Sequence, residues 1–112
     1  MIELKKNYLN QNYIKGIKRR EELGDVKFYF TDRTAKCFSD DTETKKIIKK
    51  LQKEFAFIQI DNDYINPIWV KGFEKKEDGQ VKIYFPDATA ILVNLDDDSF
   101  EDLVLWFDEE EE

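Results

Sequence analysis

The stretch Val26-Lys27-Phe28-Tyr29-Phe30 recurs at residues 81 to 85 as Val81-Lys82-Ile83-Tyr84-Phe85. Its period of two puts Val26, Phe28 and Phe30 on one face and Lys27 and Tyr29 on the other, which is the pattern of a half-buried strand. The second stretch repeats the pattern with Lys82 and Tyr84 on the polar face.

The likeness extends in both directions from this strand. Tyr8 aligns with Tyr64, Asn10 with Asn66, and Lys15-Gly16 with Lys71-Gly72. After the strand, Asp32, Thr34 and Ala35 align with Asp87, Thr89 and Ala90. Residues 2–38 therefore match 58–93, with one residue deleted in a turn and one restored before the following helix. We read this as an internal repeat.

Before the strand, each copy opens with short alternating segments, Ile2-Glu3-Leu4 or Ile58-Gln59-Ile60, followed by the polar turns Lys5-Lys6-Asn7 or Asp61-Asn62-Asp63. Enrichment in β-branched and aromatic residues predicts strands again at Tyr13 to Ile17 and at Trp69 to Phe73. Gly24 and Gly79 stand where a hairpin loop needs positive φ. After the repeated strand, Thr31-Asp32 and Pro86-Asp87 predict a turn into a last strand at Thr34 to Phe38 or Thr89 to Val93.

Each copy then changes to a period of 3.6. Ile47, Ile48, Leu51 and Phe55 form one apolar stripe, and Lys45, Lys46, Lys49, Lys50 and Lys53 cover the rest. Asp40 with Glu43 is the predicted capping pair of this helix. In the second copy Phe100, Leu103, Val104 and Phe107 form the stripe after an acidic start at Asp96-Asp97-Asp98. The predicted fold is α+β: a tandem internal repeat of two β-β-β(β)-α units with antiparallel sheets, one helix each, and a pseudo-two-fold axis. The fourth strand depends on whether residues 2–10 form a hairpin or one bent strand.

A repeat of this size buries only about 60% of its unfolded surface by itself. Residues 1–55 and 56–112 are therefore expected to share one core as one compact domain. Their charges are opposed: residues 1–55 hold 14 Lys/Arg against 9 Asp/Glu, a balance of +5, and residues 56–112 hold 4 against 16, a balance of −12. The aromatic content of 14% suits a packed core, and the 38% of charged residues suits a solvated surface. No apolar run reaches the roughly 20 residues that span a bilayer, and no secretory leader is legible. The expected location is the cytoplasm.

Catalytic chemistry finds little support. The chain has no histidine, and its one cysteine, Cys37, aligns with Leu92 and reads as a small buried hydrophobe. No nucleophile stands beside a base, and the four glycines are isolated rather than gathered in a phosphate-binding loop. Asp61-Asn62-Asp63 lacks the glycine and distal glutamate of a calcium loop and reads as a turn; Asp96-Asp97-Asp98 reads as a helix start. No enzyme, cofactor or metal is expected.

Two binding readings remain. The first is a protein-binding module, an acidic inhibitor of a nucleic-acid-processing protein of the kind small phages and mobile elements carry, acting by nucleic-acid mimicry. At 100° per residue, Leu105 and Trp106 fall outside the stripe led by Phe100, with Leu105 facing out and Trp106 at the edge. These two would anchor a basic protein partner, with Asp102, Asp108, Glu109, Glu110, Glu111 and Glu112 meeting its cations.

The alternative is single-stranded DNA or RNA laid on an open sheet face that carries Lys15, Lys27, Tyr29, Lys71, Lys82 and Tyr84. The opposed charges of the two halves also allow association between copies.

Overall fold

The structure is a computed structural model that describes residues 1–77 and 79–111, the last three of these (109–111) in backbone only. The chain is α+β, with ten strands in three antiparallel sheets and two long helices among the described residues. Strands β1 (Ile2–Leu4) and β2 (Asn7–Leu9) form a hairpin of their own. Its turn residues Lys5 and Lys6 have φ of 49° and 67°, the pair of positive values that a tight two-residue hairpin requires.

Residues 2–10 are thus two strands, and among the described residues each half has five strands rather than the three or four predicted. Short strands of three residues carry too little alternation to be separated by pattern alone. Cys37, expected to be buried, is exposed on β5 (Ala35–Ser39), an edge strand.

A 3-10 turn at Gln11–Tyr13 leads to β3 (Ile14–Arg20), β4 (Asp25–Phe30) and β5 (Ala35–Ser39). Helix α1 (Thr42–Phe55) follows. The same order then recurs: β6 (Ile58–Ile60), β7 (Asp63–Ile65), a 3-10 turn at Pro67–Trp69, β8 (Gly72–Lys75), β9 (Gln80–Tyr84), β10 (Ala90–Asn94) and α2 (Asp97–Glu111).

Strand pairing differs between the halves. β6 and β7 join the first half in a five-stranded sheet of order β5-β4-β3-β7-β6, and β8, β9 and β10 form a three-stranded sheet of order β10-β9-β8. Among the described residues no equivalent sheet joins β1 and β2 to β8.

Because successive residues of a strand face opposite ways, β7 shows how the layers stack. Tyr64 belongs to a buried cluster with Ile17, Val26, Phe28, Ile48 and Leu51, so α1 covers that face of the five-stranded sheet. Its neighbour Ile65 belongs to a second cluster with Val81, Ile83, Phe85, Val93 and Leu103, so the three-stranded sheet and α2 lie on the other face. Phe28, fully buried and edge-on to Phe38 at 5.3 Å, contributes roughly 1.5–3 kcal/mol by burial. Gly16 sits at the contact between the sheets: a Cβ there would lie 3.5 Å from the Tyr64 carbonyl and 3.8 Å from the Phe85 ring.

The helix starts follow local chemistry. The Asp41 carboxylate accepts from the Thr44 amide at 3.1 Å, so the cap lies one residue later than Asp40. Asp40 instead faces Arg19 at 3.2 Å. Asp96 caps α2 by accepting from the Ser99 amide at 2.8 Å, a bond that holds its carboxyl below the ordinary value.

Candidate partner-binding site

Helix α2 is held by one aromatic contact set. Phe100 packs edge-on against Phe73 of β8 at 5.7 Å, Phe107 lies 5.5 Å from the same ring, and Leu103 is buried between the sheet and the helix. That orientation turns the next face of the helix outward. Leu105 is 56% exposed, and Glu101, Asp102 and Asp108 around it are exposed as well.

Trp106 is half-buried and edge-on to Phe107 at 5.0 Å. Its ring borders a shallow groove of about 280 Å³ whose walls are Ile58, Ile60, Leu95 and Leu103, with Ser99 and Asp102 as polar rim. An apolar slot with one carboxylate, Asp102, on its rim can seat an apolar side chain flanked by a cation, and the exposed Leu105 on the adjoining helix face adds a second apolar contact. The side chains of Glu109 to Glu112 lie outside the described residues.

The candidate nucleic-acid residues are separated. Lys27 stacks over Tyr29 at 5.1 Å on the five-stranded sheet, and Lys82 over Tyr84 at 5.1 Å on the three-stranded sheet. Lys71, Lys82 and Tyr84 do come together, bordering an open groove of about 310 Å³ with Gly72 and Thr89.

Lys15 does not share an open face. Only 3% exposed, it gives its ammonium to Asp87 at 2.5 Å and to the Thr89 hydroxyl at 2.6 Å, with the Phe85 ring at 5.4 Å. Burial works against ionisation of Asp87, but the bonds from Lys15 and Thr89 outweigh it and hold that carboxyl below its ordinary value. The Asp87 carbonyl also accepts from Arg33 at 2.8 Å.

The groove beside Trp106 was not legible in the sequence, since Ile58, Leu95 and Trp106 come together only when β6 packs beside α2. The Lys15–Asp87 pair had one sequence signal, a lysine inside the apolar run Ile14 to Ile17.

Among the described residues no group of His, Cys, Asp and Glu is placed to hold a metal ion, and no helix is long and apolar enough to cross a membrane. Comparison with protein-family models, curated proteins and solved structures finds no match to this chain.

Proposed function

We propose that the chain is a non-catalytic protein-binding module that docks a basic surface of a partner on the outer face of α2. The observation that carries this reading is the exposed Leu105 with the exposed Glu101, Asp102 and Asp108 three and four residues away on the same helix, Asp102 also standing on the rim of the Trp106 groove. A leucine left in water amid carboxylates adds nothing to the fold's core, whereas it suits an anchor that becomes dry on binding. With residues 56–112 at −12, the partner class is a nucleic-acid-binding or nucleic-acid-processing protein whose basic groove the acidic half occupies in place of the polyanion. On this reading the protein acts in the cytoplasm, as an inhibitor of the type found in phages and mobile elements.

On the same proposal residues 1–55 and 56–112 are tandem copies with a pseudo-two-fold relation in one compact domain, their two buried clusters backing onto opposite faces of the five-stranded sheet. Matched details support it: Asn10 and Asn66 accept from the amides of Asn12 and Ile68, and Asp32 and Asp87 accept from those of Thr34 and Thr89.

A second reading, short single-stranded nucleic acid, draws on the convergence of Lys71, Lys82 and Tyr84 at one groove. Two measurements separate them. Immobilised wild type should retain a basic protein from cell extract that a folded Leu105→Ala/Trp106→Ala variant loses; equal retention by both ends the α2 assignment. Tryptophan-fluorescence titration with single-stranded DNA and RNA at about 50 and 200 mM salt should show no binding, and tight salt-sensitive binding lost on Lys71→Ala/Lys82→Ala would transfer the function to the sheet groove.

A further inference from the structure

The α2 face has a complement within this same chain. Helix α1 is 14 residues long and α2 is 15, so each is about 20 Å long. Lys45, Lys46, Lys49, Lys50 and Lys53 are all exposed on α1. On α2 the exposed positions Asp98, Glu101, Asp102, Leu105 and Asp108 recur at the same three-to-four-residue spacing. Two helices laid side by side at about 8–10 Å would bring these rows into contact, and the methylene stems of the lysines would cover Leu105.

The fold keeps the two rows apart within one molecule. Tyr64 and Ile65 mark opposite faces of the five-stranded sheet, with α1 on the Tyr64 side and α2 on the Ile65 side. Among the described side chains, the ion pair made by an α1 lysine is local, Lys50 with Glu54 at 3.9 Å.

We propose that a second copy of this chain occupies the α2 face, with the lysine row of its α1 lying along Asp98, Asp102, Leu105 and Asp108. The inference rests on the reading of α2 as a docking face and names one partner for it. Since the two rows lie on opposite sides of each molecule, the contact is heterologous and leaves a free α1 and a free α2 at the ends of a dimer, where further copies can add.

Net charge of −7 opposes association of whole molecules at very low ionic strength, and high salt screens the helix contact itself. Association should therefore peak at intermediate salt. Sedimentation velocity of the full chain, from micromolar to millimolar concentration, is the test. At about 0.1 M salt the weight-average mass should rise with concentration past the dimer, and at about 1 M it should return to the monomer.

Lys49→Ala/Lys53→Ala and Glu101→Ala/Asp102→Ala alter exposed side chains and should each sediment as a monomer. Their equimolar mixture should stop at a heterodimer, because one variant offers an intact α2 and the other an intact α1. A wild type that stays monomeric throughout, or variants that associate as the wild type does, would overturn the proposal. A monomeric wild type whose Leu105→Ala/Trp106→Ala variant still loses a basic partner would overturn self-association alone and leave the protein-binding reading standing.

Discussion

The Lys15 ammonium lies 2.5 Å from the carboxylate of Asp87, 72 positions further along the chain, and fastens β3 to the turn between β9 and β10. Thr89 and Arg33 complete the cluster, so the first half reaches the second-half turn through two side chains.

Breaking this pair from the acidic side leaves a buried ammonium without its counter-charge. Asp87→Ala is expected to cost about 3 kcal/mol in urea denaturation, and Lys15→Met/Asp87→Ala less than the sum of the two single changes. Additive losses would show that the pair carries no coupling.

The same carboxyl makes a prediction about acid. Its folded pKa is lowered, so its contribution is fully present above the ordinary carboxylate value and is lost as pH falls through the folded value. Stability should therefore drop below about pH 4 more steeply in wild type than in Asp87→Asn, as followed by thermal midpoint against pH.

Asp63 behaves in the opposite sense. Burial in β7 pushes its carboxyl up, with Lys18 partly offsetting this and Asp61 adding to it. Ionising it therefore opposes folding, and stability declines as pH rises from the ordinary value through the raised one. Asp63→Asn should raise the denaturation midpoint at neutral pH and lose that advantage in acid, where the wild-type carboxyl is protonated in both states. An unchanged midpoint at pH 7 would contradict the burial effect.

Leu105 separates binding from folding. Being mostly exposed, Leu105→Ala should change stability by no more than about 0.5 kcal/mol. Together with Trp106→Ala it should weaken partner binding by more than about 2 kcal/mol, measured by calorimetry on the captured partner.

The Asp41 cap is a test of local origin for α1. Asp41→Ala should lower stability by about 1 kcal/mol, because it frees the Thr44 amide and also removes the partner of Lys5, while Asp41→Asn should restore most of the capping part. Circular dichroism on thermal melting distinguishes them.

Local alternation was enough to find β4 and β9, because the placing of Val26, Phe28, Val81 and Ile83 on one face follows from backbone geometry within the segment itself. The spacing of Ile48 and Leu51 likewise marked α1, and that of Leu103 and Leu105 told which side of α2 is buried and which is wet. Composition also carried the charge contrast between the halves, which needs no structure to count.

Other features depended on distant parts of the chain. That β7 pairs with β3, while the first hairpin stands apart as β1-β2, is set by which sheet edges and apolar faces meet, a property of two segments together and not of either one. Lys15 looked like a surface cation beside Gly16 and became the most enclosed charge among the described residues because Asp87 and Thr89 arrive from 72 and 74 positions away. The groove beside Trp106 has the same origin, since its walls come from β6, the segment before α2 and α2 itself. Periodicity and capping act over a few residues, whereas burial, strand partners and cavities arise from contacts that the chain makes only once it has closed on itself.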